Sequence, residues 1–176
     1  MHQVTRLDDL SAADLVVLLQ HLDIRLQLLE ADAPIPASYW GAPEAGVIAN
    51  CIYARGDTPV HSVLHTACHL LCMSPERRAT LHTDCGGSDL EESAVCYLQC
   101  LLADTVPGYS RRRLFTDMDR WGYSFRLGSA RAWFEEDAED ARDHLASLPL
   151  SAALCERIGP LQTQWQEAQA IQDAPR

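Results

Sequence analysis

Three histidines recur at every fourth position in the stretch DTPVHSVLHTACHLLCM, at His61, His65 and His69. Residues four apart lie one turn apart on the same side of an α-helix. Two imidazoles placed in this way can both bind one divalent transition metal ion. The spacing therefore predicts a metal site with His65 and His69 as ligands. His61 is open to a role as a fourth metal ligand, a donor beside the site or a surface residue.

A third ligand is expected from the later segment DLEESAVCYLQCLLAD. Glu91 lies in helical phase with three apolar residues, Val95, Leu98 and Leu102, which predicts that its carboxylate faces the core. An ionised carboxylate in the core needs a metal or another partner, because an unpaired buried charge is unfavourable or shifts its pKa upward. Glu92 is rotated by about 100° and is expected in solvent or beside the site. The residues alone therefore predict a site of two histidines and Glu91.

The elements that must position these residues are predicted from hydrophobic periodicity and from proline and glycine. Leucines at near-helical spacing predict a long first helix that starts at Ser11 and continues through LDIRLQLLEA. The segment GVIANCIYAR at 46–55 mixes β-branched, aromatic and alternating apolar residues, which is typical of a strand. Further helices are expected at about 59–73, about 89–103, from about Ser129, and at 151–172. The predicted fold class is α+β, mostly helical with a small β element.

Composition and charge limit the classes of function. The chain has 47% hydrophobic residues and a net charge of −11, which predicts a packed domain and disfavours nucleic acid as a partner. Its length predicts a single domain over 1–176. No apolar run reaches the roughly 18 residues of a membrane span, and MHQVTRLDDL lacks the apolar core of a signal peptide, so a cytoplasmic protein with no membrane partner is expected. Seven cysteines without a CxxC pair disfavour a disulfide framework or a cysteine-based zinc site.

The segment LHTACHLLC, followed by EESAVCYLQCLLAD, resembles the minimal HExxH metallopeptidase domain of the zincin-like type, found in anti-repressor proteases and radiation-response regulators. In that family a strand precedes the HExxH helix, and a second helix with an E-x-x-A motif supplies a glutamate ligand. The resemblance covers about 46–104 and implies a zincin-like core with helical additions on both sides. It implies that His65, His69 and Glu91 bind a divalent transition metal, with zinc expected, and that the protein is a hydrolase of peptides or small molecules.

The chain departs from this family at Thr66, where the HExxH motif carries the glutamate that accepts a proton from water. A threonine hydroxyl cannot act as a base near neutral pH, and a positioned base contributes about 10²- to 10⁴-fold in rate. Asp84, Asp89 and Glu92 are candidate replacements by proximity in the sequence. The peptidase chemistry of the family is therefore expected to be weakened or replaced at this site.

Several interpretations remain open on the sequence. Besides a metal-dependent hydrolase, the chain fits a non-catalytic metalloprotein that keeps the site for stability, sensing or partner binding. A non-haem Fe(II) enzyme is a further alternative, because two histidines and one carboxylate also form its metal site. The histidines fit a hydrogen-bonded polar stripe as well. Tyr123 and Arg126 are candidates for stabilising an oxyanion, and the SRRR cluster is either a charged surface or an anion-binding loop.

Overall fold

The computed structural model describes residues 4–172 and combines α-helices with one small sheet. The strands are β1 (Arg25–Leu29), β2 (Gly46–Ile48) and β3 (Cys51–Arg55). The helices are α1 (Ala12–His21), α2 (Val60–Cys72), α3 (Pro75–Ala79), α4 (Asp89–Ala103), α5 (Arg111–Trp121), α6 (Ala130–Glu136), α7 (Glu139–Ser147) and α8 (Ala152–Gln172). Within the described residues, no helix combines the length and the apolar composition that a membrane crossing needs. The expected α+β class with a small β element is confirmed.

The central strand of the sheet is β3, which runs parallel to β1 and antiparallel to β2. Ile52 of β3 is fully buried and lies beside Leu26 on one side and Val47 on the other. The single strand predicted over 46–55 is therefore a hairpin. The chain turns at Ala49, whose φ of 49° lies in the left-handed region.

The long first helix predicted from Ser11 is wrong in its second half, where the structure has β1. Helix α1 ends at His21, and the chain leaves it through Asp23, whose φ is 58°. Leucines that lie two and four residues apart satisfy the periods of a strand and of a helix, so their spacing does not distinguish the two. In β1, Leu26 faces the core and Gln27 faces solvent, as in a half-buried strand.

Helices α2 and α4 pack together at the centre of the molecule, with nearly the predicted bounds. Every residue of α4 from Ala94 to Ala103 is buried. This is because α2, α5, α7 and α8 all pack against it. The apolar residues of α4 therefore do not single out the side that faces α2, and this affects which glutamate reaches the histidines.

Helix α5 begins within the SRRR cluster, so these residues do not form the anion-binding loop that was one of their two interpretations. The Ser110 hydroxyl caps the helix by accepting a hydrogen bond of 3.2 Å from the Arg113 backbone N–H. Gly122 ends the helix with a φ of 104°, a conformation that glycine adopts readily. Leu114 points into the core, and Trp121 in the last turn reaches the cleft described below. The SRRR cluster thus belongs to the start of a helix that carries one wall of that cleft.

Two loop segments cover the outer edge of β2. The Val47 N–H donates to the Ala37 carbonyl oxygen at 3.2 Å, and the Val47 carbonyl accepts from the Thr83 N–H at 3.0 Å. The backbone at Gly46 lies so close to the preceding loop that a Cβ there would overlap the carbonyl oxygen of Pro36. A glycine at this position is therefore required for the loop to lie against the strand.

Replacing Gly46 with alanine is expected to lower the free energy of unfolding by about 1–3 kcal/mol, the range typical of overpacked buried sites. The added methyl group overlaps a backbone carbonyl oxygen, which cannot rotate away as a flexible side chain can. Chemical denaturation of both proteins measures the change. Equal unfolding midpoints and slopes would show that the loop at 36–38 does not lie against β2.

Candidate metal centre

Three donor groups converge where the middle of α2 meets the first turn of α4. The Nε2 atoms of His65 and His69, one helical turn apart on α2, are 3.2 Å from each other. Oε1 of Glu92 lies 3.1 Å from Nε2 of His65, and Oε2 of Glu92 lies 3.1 Å from Nε2 of His69. The Glu92 side chain is about half exposed, whereas His69 is buried. This group of two histidines and one glutamate could hold a metal ion.

The spacings within the group fit an ion placed between the three side chains. Zinc binds imidazole nitrogen and carboxylate oxygen at about 2.0–2.2 Å, so that two ligand atoms of a tetrahedral site lie about 3.3–3.6 Å apart. The three contacts of 3.1 to 3.2 Å are only slightly shorter than these edges. One donor atom from each of the three side chains lies within 4.8 Å of the other two.

Gln99 fixes the orientation of His65 from the neighbouring helix. Its side chain is fully buried, and its Nε2 donates a hydrogen bond of 2.8 Å to the carbonyl oxygen of His61. Its Oε1 is thereby left as an acceptor 3.3 Å from Nδ1 of His65. This contact places a proton on Nδ1 of His65 and directs its Nε2 toward Glu92 and His69. A hydrogen bond on the far nitrogen that sets the tautomer is usual for metal-binding histidines.

The charges within the group favour a cation. Burial tends to raise the pKa of Glu92, but hydrogen bonds with His65 and His69 outweigh burial and hold this pKa well below its usual range. Burial tends to lower the pKa of His65, but contacts with Cys96 and Glu92 outweigh it and raise the pKa to about 10. An ionised carboxylate next to an imidazole that retains a proton is the expected result of this proximity. A metal ion in place of the proton satisfies the same atoms.

The structure corrects the predicted carboxylate from Glu91 to Glu92. Glu91 turns away from the histidines and forms an ion pair of 2.6 Å with Arg77, which also donates to the Cys85 carbonyl oxygen. The prediction assumed that the apolar residues of α4 mark the side facing α2, whereas α4 is buried on several sides. The side facing α2 instead carries Glu92 and, two turns later, Gln99.

His61 lies outside the group of converging donors, although it was a candidate fourth ligand. Its ring is fully buried and packs 5.1 Å from the Trp121 ring and 5.7 Å from the Tyr123 ring, measured between centroids. Neither ring nitrogen has a hydrogen-bond partner among the described residues. Burial, with a contribution from nearby His65, lowers the pKa of His61 to about 3, so the ring is neutral. It serves as packing beneath the aromatic wall of the cleft.

Thr66 and Asp84 line the cleft, but both side chains are engaged with backbone groups. The Thr66 hydroxyl donates a hydrogen bond of 2.9 Å to the Ser62 carbonyl oxygen in the preceding turn of α2. Oδ1 of Asp84 accepts a hydrogen bond of 2.8 Å from the Gly86 N–H and so shapes its loop. The third candidate for catalysis, Glu92, is held by the two histidines. Asp89, the remaining candidate base, also lies in the wall of this cleft.

The His65, His69 and Glu92 side chains line a cleft of about 650 Å³ that is open to solvent. Tyr123 also lines it, with its ring centroid 5.8 Å from that of His65, so the predicted position of this tyrosine near the site agrees with the structure. Arg126 instead forms an ion pair of 2.8 Å with Asp137 and is not among the lining residues. The rim carries two exposed aromatic side chains, Tyr39 and Trp40, in contact with each other.

Two residues near the centre were not predicted from the sequence. In the sequence, Gln99 is one more residue of a helix. Only its position two turns after Glu92 indicates that the two side chains face the same side of that helix. Glu44 lies in the segment APIPASYWGAPEAG, whose prolines and glycines predict only a loop, yet the structure places it in the wall of the cleft. Neither residue stands at a fixed spacing from the histidines, because tertiary packing brings them there.

No family model, curated protein or solved structure matches this chain. The interpretation of the centre therefore rests on the geometry and the donor chemistry of its own residues.

Glu92→Gln is expected to weaken zinc binding by at least about 100-fold. A neutral amide replaces a charged ligand in this variant, and loss of a ligand should exceed the 10- to 100-fold typical of losing a group that only supports one. Competition with a chromophoric chelator measures the affinity.

Glu91→Gln is the matched control, since it makes the same chemical change one residue away. Its zinc affinity should equal that of the wild type within about threefold, because Glu91 faces Arg77. A larger loss of affinity in Glu91→Gln than in Glu92→Gln would reverse the assignment of the two carboxylates.

Proposed function

We propose that this protein binds one zinc ion through His65, His69 and Glu92 and uses it to hydrolyse small ester or amide substrates in the adjoining cleft. The observation that carries the proposal is the convergence of three donor side chains, 3.1 to 3.2 Å apart, in the wall of an open cleft. Two histidines and a glutamate are also the ligands of several catalytic zinc sites, which keep a further position open. A purely structural zinc site is normally closed by four protein ligands.

Within this proposal the protein side chains have distinct roles. His65 and His69 supply neutral nitrogen ligands, and Gln99 holds the His65 ring in the required tautomer. Glu92 supplies a charged ligand from the opposite helix. When bound, zinc polarises a substrate carbonyl and lowers the pKa of water. Tyr123 packs its ring beside that of His65 and also lines the cleft.

The substrate is expected to be a small molecule or a single side chain rather than an extended peptide. Extended peptides commonly bind by adding a strand to an exposed sheet edge. The outer edge of β2 is closed to such a strand, because Val47 already bonds there to Ala37 and Thr83. The exposed Trp40, with 77% of its surface accessible, adds an apolar contact at the rim. The cleft thus favours a compact substrate with an apolar portion.

A non-haem Fe(II) enzyme is the second candidate, and the donor set favours it specifically. Two histidines and a carboxylate on one side of a metal are the ligands of Fe(II) oxygenases. Thr66 also lacks the basic group that a zincin-like hydrolase carries after its first histidine. Metal analysis after purification under anaerobic conditions distinguishes the two, since zinc and iron give separate elemental signals.

The zinc-loaded protein is expected to hydrolyse p-nitrophenyl acetate at least about 100-fold faster than the chelated protein, because Lewis-acid assistance lowers the barrier by several kcal/mol. Initial rates at constant protein concentration measure the effect. His69→Ala should lose the stimulation by zinc, and Glu91→Gln should keep it. Equal rates for the wild type and His69→Ala in the presence of zinc would contradict the proposed hydrolase.

A further inference from the structure

Glu44 stands in the wall of the cleft, next to the proposed metal centre and on a separate element. It directly precedes the Ala45 N–H, which donates a buried hydrogen bond of 3.0 Å to the hydroxyl of Ser62 on α2. Ser62 lies one turn before Thr66. Its carbonyl oxygen accepts a hydrogen bond from the Thr66 hydroxyl. The backbone at Glu44 is thereby attached to the part of α2 that carries the histidines.

Trp121 orients the Glu44 carboxylate. The indole Nε1–H, at the end of α5, donates a hydrogen bond of 3.0 Å to Oε1 of Glu44. The described residues give Oε2 no hydrogen bond, so this oxygen remains available to a ligand in the cleft. Trp121 itself packs against the buried ring of His61. The carboxylate is therefore held at one oxygen by a fixed donor, while the other oxygen is free to accept a proton.

The electrostatic environment of Glu44 is consistent with proton transfer. Burial raises its pKa above the ordinary value for glutamate, although the bond from Trp121 and the proximity of His65 oppose this. A carboxylate with a raised pKa is a better proton acceptor near neutral pH than an ordinary one.

We propose that Glu44 is the proton acceptor of this site and takes the role for which Thr66 has no suitable group. This inference rests on the proposed hydrolase function. A water molecule gives one proton to Oε2 of Glu44 while its oxygen bonds to the substrate carbonyl carbon, whose C–O π electrons move to the oxygen. When that carbonyl re-forms, the bond to the leaving group breaks. The proton then passes from Glu44 to the leaving group, which restores the carboxylate.

The other candidates for this role differ from Glu44 in how their side chains are held. The Thr66 hydroxyl donates to Ser62, and Asp84 accepts from the Gly86 N–H. Both oxygens of Glu92 face the histidines. Asp84 also keeps one oxygen without a hydrogen bond, and Asp89 also lines the cleft. Among the described residues, Glu44 is the one of these candidates that combines an oxygen without a hydrogen bond and a second oxygen held by a side-chain donor.

The test uses Glu44→Gln in the full-length protein, with Glu156→Gln as a matched control on the exposed side of α8. Zinc affinity is measured first, by chelator competition, and should equal that of the wild type in both variants. Binding of acetohydroxamate to the zinc-loaded proteins is then measured by calorimetry. This ligand gives up a proton on chelating a metal, so a neighbouring carboxylate that accepts it strengthens binding. Glu44→Gln should weaken acetohydroxamate binding by about tenfold or more, the effect of losing a hydrogen bond to a charged group.

Hydrolysis of p-nitrophenyl acetate provides the second measurement and should fall by about 10²- to 10⁴-fold in zinc-loaded Glu44→Gln. Unchanged acetohydroxamate affinity in Glu44→Gln would overturn the role of Glu44 and leave the zinc site standing. Loss of zinc itself would also overturn it, because Glu44 would then be a ligand. If Asp84→Asn shows the predicted losses instead, the acceptor is Asp84. Failure of the wild type to bind zinc would refute the proposed function, an outcome distinct from the others.

Discussion

Three donor groups occupy one small space between α2 and α4, and the arrangement requires a positive charge. Two imidazole nitrogens and a carboxylate lie 3.1 to 3.2 Å apart. Lone pairs at that distance repel one another unless a proton or a metal ion lies between them. The packing of α2 on α4 holds the groups there, and Gln99 joins the two helices by contacting His65 and the backbone of His61. The rest of the site is built around this requirement.

The walls of the cleft depend on contacts to the same part of α2. Ser62 fixes the loop that carries Glu44, and the His61 ring supports Trp121 and Tyr123 from below. The turns of α2 that carry His65 and His69, the proposed metal ligands, therefore also position the aromatic wall and the proposed proton acceptor. The covered edge of β2 closes one route that an extended substrate would use. The proposed metal ligands, the aromatic wall of the cleft and the proposed proton acceptor thus all depend on contacts to α2.

Regular local patterns were sufficient to predict α2, α4 and the pairing of His65 with His69. Helical periodicity fixes which residues of one helix share a side, but it does not fix which side another helix meets. This is why Glu91 was preferred to Glu92, since α4 is buried by several neighbours and its apolar residues mark no single direction. The boundary of α1 depended on Asp23, whose left-handed conformation the leucine spacing does not encode. Glu44 reaches the site through a loop, where position depends on long-range contacts.

The central claim is that His65, His69 and Glu92 bind one metal ion together. Anomalous diffraction from crystals of the zinc-loaded protein, recorded above and below the zinc absorption edge, tests it most directly. The expected result is one strong peak within about 2.0–2.2 Å of Nε2 of His65, Nε2 of His69 and a carboxylate oxygen of Glu92. Two results would contradict this claim. One is zinc bound elsewhere in the protein with no peak between these side chains, and the other is a peak at Glu91 in place of Glu92.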